Sequence, residues 1–347
     1  MHPHVRTLIL LPLLALARTL HSQSAPQVLH TQLTTQSAAN GLTPHLESVK
    51  RSGHPTWIGY SVALIPGLQL DSNNAGTLDL NNDGNSYRRN NDDPIVTPTQ
   101  AILLIHVEQG VATRIRLVDP TRILDAGDQP FLWLTNVSPT DSIQLLSSLA
   151  KTESSERRDR IRSSALFAIA AHNVPQATVA LIALAEPSNP IDLRDKAAFW
   201  LANQRGTEGF AALRKYARND PDEAFRKKLT FDLTLVKEPA ALDELIRMAH
   251  DDASPEVRKQ AQFWMANKGG KKVGADLGNI AVNDPNAEVR KSAVFAISRL
   301  PDGESTARLV ELASNSKDPA VRKQAVFWLG QSRDPHALDY LTRLIKQ

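Results

Sequence analysis

The sequence predicts a mainly α protein: an α-solenoid of six helical hairpins with a C-terminal capping helix, preceded by a small β-rich domain. Three observations predict it. Six arginines, Arg162, Arg194, Arg226, Arg258, Arg290 and Arg322, stand 32 residues apart without exception. Six phenylalanines, Phe167, Phe199, Phe231, Phe263, Phe295 and Phe327, keep the same step, each five residues behind its arginine. Ahead of residue 139 the period is absent, and short runs of alternating apolar and polar residues take its place. A fixed period of this length marks stacked supersecondary units, none of which can bury its apolar face alone.

Residues 1–24 read as a secretory signal peptide. A basic start (His2, His4, Arg6) precedes an apolar run over 8–17 and a polar stretch, and Ser22 and Ser24 supply small residues for cleavage before Ala25. That run is half of the ~20 residues a membrane-crossing helix needs, so no membrane span is expected and the product is expected to be exported, periplasmic or extracellular. The chain has no cysteine, which excludes a lipid-bearing cysteine and a disulfide framework alike. It carries 40 basic and 37 acidic side chains, and losing the leader removes Arg6, Arg18 and no acid, leaving 38 against 37. So balanced a charge argues against nucleic acid as a partner.

Residues 25–138 are expected to form the β-rich domain. The stretch 25–55 is rich in Ser, Thr, Gln and His without a clear period, and reads as partly extended. Residues 57–65 read as a strand. Residues 100–107 and 111–118 read as a hairpin across Glu108, Gln109 and Gly110, because Ile115 and Leu117 alternate with Arg114 and Arg116. Residues 123–127 and 131–134 supply further short strands. Between the strands, Asp79, Asn81, Asp83 and Gly84 match the opening positions of a calcium loop. Its closing position is Asn90 instead of a glutamate, Arg88 and Arg89 add positive charge, and the cluster also reads as ordinary loop chemistry. No metal and no cofactor are expected.

Residues 139–347 are expected to form the solenoid. In the last repeat Asp318 is placed to cap a helix and Pro319 to start it, while Val321, Ala325, Trp328 and Leu329 share one helical face. A second helix follows Asp334, with Leu338, Leu341 and Ile345 in the same logic. Partner helices are expected near 139–151, 175–185, 206–218, 239–250, 271–282 and 303–314, and the helix at 335–346 as the cap.

The string from Asp318 to Leu329, with Asp-Pro, then Val-Arg-Lys, Ala325 and Leu329, resembles the HEAT-repeat signature, in particular the short bacterial repeats grouped with phycobilisome lyases. The resemblance spans roughly 139–347 in six copies. It implies an aspartate ahead of each second helix that joins the arginine inside it into a ladder between repeats. The arginines match one by one, whereas the acids are uneven: Asp318 precedes Arg322 by four residues, Asp220 and Asp284 precede theirs by six, and Ser254 takes the place in the fourth repeat. HEAT-type di-iron hydroxylases carry His-Glu pairs, which this chain lacks, and the likeness to the lyases extends to repeat form only.

Three rows of residues are candidates for function. The arginines could bind anions or staple the repeats. Lys227, Lys259, Lys291 and Lys323 each follow an arginine, lie off the apolar face, and would form a positive line on the order of 30 Å long if helices stack one diameter apart. Trp200, Trp264 and Trp328 recur at every second repeat, where the others carry Ala168, Asp232 and Ala296. Those indoles could grip peptide or sugar, or pack between repeats. Asp232 is expected near the surface, because a lone carboxylate is rarely fully buried. No hydrolase elbow, zinc-protease or phosphate-loop motif is present. The reading is a non-enzymatic exported scaffold that holds a protein partner along the inner face of the solenoid, expected to be lined by the second helices. Carbohydrate or envelope-polymer binding through the tryptophans is one alternative, and an enzyme in the β-rich domain around His54, Asp79 and His106 is the other. Oligomeric state is not legible.

Overall fold

A computed structural model describes residues 24–70, 77–82, 97–152 and 156–346. The proposed leader, but for Ser24, and Asp83, Gly84 and Arg88 to Asn90 of the calcium-like loop lie outside them.

The chain opens with β1 (Val28–Leu29), β2 (Leu33–Ser37), α1 (Thr43–Ser52) and β3 (Thr56–Ala63). Then come β4 (Leu78–Asp79), the hairpin β5 (Gln100–Glu108) and β6 (Val111–Val118), β7 (Leu124–Asp125) and β8 (Phe131–Thr135). A five-stranded mixed sheet has the order β2-β8-β3-β5-β6, with β2, β8 and β3 parallel and the rest antiparallel. A small parallel sheet, β1-β7-β4, lies beside it. The expected strand at 57–65 and the hairpin are present. The stretch 25–55, expected to be partly extended, supplies β1 and β2, and it also forms the unexpected α1, which buries Leu46 and Val49 and ends at Gly53 with φ 68°.

Strand alternation divides the large sheet between two cores. Ile58, Tyr60, Leu103, Ile105, Leu132 and Leu134 join a cluster that continues through the helices as far as Ala337. Trp57, Ile102, Leu104, Phe131 and Trp133 form a second cluster with Leu80 and Leu124. Gly59 is required where β3 passes Phe131, since a Cβ there would stand 2.8 Å from the ring.

Twelve helices follow as six hairpins. The first helices are α2 (Pro139–Ala150), α4 (Pro175–Ala185), α6 (Gly206–Asn219), α8 (Ala240–Asp251), α10 (Gly274–Asn283) and α12 (Asp302–Asn315). The second helices, which carry the arginine and phenylalanine rows, are α3 (Glu156–Ala171), α5 (Ile191–Gln204), α7 (Glu223–Leu235), α9 (Pro255–Gly269), α11 (Ala287–Ser298) and α13 (Pro319–Gln331). The last helix, α14 (Pro335–Ile345), ends the array. These are the hairpins and the cap expected from the period, with one local difference: residues 270–273 form a 3-10 turn ahead of α10. Second helices pack on their counterparts in the neighbouring repeats. Among the described residues no helix is long and apolar enough to cross a membrane.

Candidate functional site

The arginine row is a ladder. Arg226 forks onto Asp252 at 2.9 and 3.0 Å, Arg258 onto Asp284 at 2.9 and 3.1 Å, and Arg290 reaches Asp318 at 2.8 and 2.9 Å. Arg194 pairs with Asp220 and Arg162 with Asp192. Each of these arginines therefore spends its charge on the following repeat. Arg226, Arg258, Arg290 and Arg322 also donate to the carbonyl six residues behind them, at 2.7–2.8 Å. A buried guanidinium with these partners is satisfied and has little left for an incoming anion.

The unevenness of the acids resolves into two jobs. Asp220, Asp252 and Asp284, six residues ahead of the arginine, take the ladder bond. Asp222, Ser254 and Asn286, four ahead, cap the helix by accepting from its first free N–H groups. Ser254 is therefore the cap of the fourth repeat, and the ladder acid there is Asp252, which the sequence reading missed. In the last repeat Asp318 does both, accepting from Ala320 with one oxygen and from Arg290 with the other.

Arg205 and Lys268 were also missed. At the end of α5, Arg205 donates to the carbonyls of Ala170, His172 and Val174 at 3.0–3.2 Å. At the end of α9, Lys268 donates to Thr234 and Val236, both at 2.9 Å. Each cation clamps the C-terminal end of the preceding second helix, where orphan carbonyls gather. Burial lowers the pKa of both. The signal that could have found them is a cation ten or eleven residues past the arginine in alternate repeats.

The tryptophans fill joints. Trp200 lies against Phe167 and Phe199, Trp264 against Phe231 and Phe263, and Trp328 against Phe295 and Phe327, with ring centroids 4.9–5.2 Å apart. All three are half-buried, and the indole N–H groups of Trp264 and Trp328 are buried without an acceptor. Each indole is thus in contact with two phenylalanine rings.

Asp232, in the matching position of the third repeat, is fully buried instead of near the surface. Neither carboxylate oxygen has a hydrogen-bond partner, and burial pushes its pKa up to about 7. Stacking explains the difference: the position that places Trp264 against the preceding helix turns Asp232 toward α5, so its side chain is covered by the array.

The four lysines lie on the solvent-facing side of the second helices, Lys227 and Lys323 exposed, Lys259 and Lys291 half-exposed. The line they form is not uniformly positive. Lys259 bonds Glu256 at 2.7 Å and Lys291 bonds Glu288 at 2.8 Å. Glu256 also feels Lys227 and Glu288 feels Lys259, so acids alternate with the bases. Each lysine is four residues ahead of a phenylalanine of the periodic row, which places the two side by side. Phe231, Phe263 and Phe295 are half-exposed and Phe327 is exposed.

The sheet meets the first repeat through a buried neutral chain. His172 Nδ1–H donates to the Ala168 carbonyl at 2.6 Å, leaving Nε2 to accept from the Ser142 hydroxyl at 2.9 Å, which in turn accepts from the Tyr60 hydroxyl at 3.0 Å. Desolvation lowers the His172 pKa and raises that of Tyr60, keeping both uncharged. Backbone bonds from Ile65 to Ala171 and from Asn173 to Ala63 complete the seam. Residues of the alternative site in the β region do not converge. His54 is exposed, while His106 is buried between Thr113, Gln129 and the Trp57 ring. Asp79 accepts from the Asn81 backbone, and the Asn81 amide donates to Ala126. Among the described residues no cluster of three metal-binding side chains occurs.

The HEAT-repeat family model matches residues 178–265 and 274–347. Those residues of the solenoid are HEAT repeats. No curated protein matches the chain in sequence. Among solved structures it is similar to the complex of CpcE and CpcF of phycocyanin lyase from Nostoc, at 25% identity over 44% of this chain and 98% of that one, with a TM-score of 0.33. It is similar to the E. coli protein YibA at 20% identity over 61% and 83% of the two chains, TM-score 0.35. It is also similar to human deoxyhypusine hydroxylase at 16% identity over 57% and 76%, TM-score 0.31.

Proposed function

We propose that this chain is an exported, non-enzymatic scaffold that holds a protein partner against its second helices. One observation carries the reading. Four consecutive second helices present the same pair, a lysine beside a partly exposed phenylalanine, from Lys227 and Phe231 to Lys323 and Phe327. Aromatic anchors flanked by charge are what a protein–protein contact uses: the rings supply apolar area and the charges set register. The alternating Glu256 and Glu288 fit a partner segment of mixed charge better than a uniformly acidic polymer. The clasped tryptophans speak against a sugar platform. The arginines and buried histidines, committed to structural bonds, speak against catalysis.

Affinity capture from the exported fraction tests it, comparing the native chain with two variants of native helicity. One replaces Lys227, Lys259, Lys291 and Lys323 with Glu, and the other replaces Phe231, Phe263 and Phe295 with Ala. A partner held by the native chain and released by both variants is the expected result. Equal capture by all three would remove this face from the reading, and quenching of tryptophan fluorescence by soluble glycans would favour the sugar alternative. Export is checked separately, by N-terminal sequencing of the mature protein: a start at Ala25 is expected.

A further inference from the structure

The six repeats are not joined alike. Repeats 1 and 2 are locked by Trp200 against Phe167 and by the Arg205 clamp, and repeats 3 and 4 by Trp264 against Phe231 and by the Lys268 clamp. Repeats 4 and 5 lack a tryptophan at their joint, but Phe263 and Phe295 stack there at 6.3 Å. The joint between repeats 2 and 3, where α5 meets α7, shows none of these ties among the described residues. In place of the indole it holds Asp232, with no solvent exposure and two unpartnered oxygens. Asp195 on α5, half-buried and with an unpartnered oxygen of its own, faces the same joint. What does hold the joint sits at its other end: Arg194 pairs with Asp220 and lies 3.9 Å above the Phe225 ring, and the Tyr216 hydroxyl at the end of α6 donates to the Ile182 carbonyl and to Glu186 at the end of α4, both at 3.0 Å.

We infer that the α5–α7 joint is a hinge, closed while Asp232 is protonated and opened when it ionises, pivoting on the Arg194–Asp220 end. An ionised carboxylate sealed from water without a partner is costly, and admitting water relieves that cost. Because each repeat of a solenoid touches only its neighbours, one joint can splay without disturbing the rest. The charges acting on Asp232 are Lys228 on its own helix, which favours ionisation, and Asp195 on α5, which opposes it. Lys228 extends over the Phe231 ring, 5.9 Å from its centroid, instead of bonding Asp232. The titration falls near neutral pH. The device is independent of any partner, and it would set the curvature of the face on which a partner is proposed to bind.

The absence of cysteine makes the test direct, because two introduced thiols can be spin-labelled in the full chain. Val179→Cys on α4 and Val282→Cys on α10, at 66% and 51% exposure, straddle the joint. Ala211→Cys on α6 with Val282→Cys lies wholly to one side and serves as control. Between pH 5.5 and 8.5 the straddling distance is expected to lengthen or broaden by ~3 Å, the width of one water, while the control stays fixed. Asp232→Asn, and separately Asp232→Ala (repeats 1 and 5 carry alanine there), should hold the short distance at both pH values. An unchanged distance in the native background would overturn the hinge. So would an equal shift in the Asp232 variants, or a control pair that moves as much as the straddling pair.

Discussion

The seam between the sheet and the first repeat and the joints between later repeats solve one problem with opposite chemistry. The seam is neutral: Tyr60, Ser142 and His172 form a chain of hydroxyls and imidazole that works only uncharged. The later joints are charged, each arginine committed to an aspartate of the next repeat. A repeating unit can reuse one ion pair because stacking regenerates the same geometry each time. The seam joins unlike elements once, so its polar groups are matched individually. The α5–α7 joint stands apart from both, charged at one edge and holding an unpaired carboxylate in its interior.

Removing Arg258 tests the charged joints most severely. Arg258→Ala leaves Asp284 buried and unpaired and is expected to lower the unfolding free energy by about 3–5 kcal/mol. Arg322→Ala, whose guanidinium meets, among the described residues, the Ser316 and Lys317 carbonyls and no acid, should cost about 1 kcal/mol. Denaturant titrations of the two variants compare them, and equal losses would mean that the carboxylate adds nothing.

Asp232→Asn is expected to act in the opposite direction. Its folded-state pKa is raised from 3.8 to about 7, so the stabilising protonated form is fully present below 3.8 and lost as pH rises through about 7. At pH 8 the variant should be more stable by on the order of 2–4 kcal/mol, with the gain gone near pH 4. Thermal denaturation at both pH values measures the difference.

At the seam, Ser142→Ala strands the Tyr60 hydroxyl and His172 Nε2, a loss of about 1–3 kcal/mol. Hydrogen exchange should register it in β3 and α2 while leaving α9 protected. A milder perturbation is acid. The folded His172 pKa lies below its usual 6.5, so the seam is at full strength above that value and weakens as pH falls beneath it. Protection of β3 against exchange, taken relative to the intrinsic rate at each pH, should therefore fall below pH 6.5 before protection of α9 does. Smallest of all per residue, Lys227→Glu and Lys323→Glu should each stay within about 0.5 kcal/mol, and Lys259→Glu and Lys291→Glu, which set a new acid beside Glu256 and Glu288, should each cost up to about 1 kcal/mol.

Legibility followed periodicity. The hairpin at 100–118 was readable because its side chains alternate, and the six helical hairpins because 32-residue spacing repeats their caps and faces. β2 was not readable: its five residues are all exposed, and it exists through parallel pairing with β8, nearly a hundred positions along the chain. α1 carries two buried apolar residues in ten, too few to announce a face. Among candidate site residues, the arginine and lysine rows were visible as columns. The partly exposed phenylalanines beside the lysines were in view as a period, but their exposure was not.

By itself the sequence determined the array and its register, because a repeated local pattern forces each copy into the same helix and the same neighbour contact. Only the tertiary structure decided which acid serves each arginine, that the tryptophans are clasped, and that Asp232 is sealed inside a joint. Those outcomes depend on which flank of a helix the next repeat covers, a matter of stacking geometry that residue type does not encode.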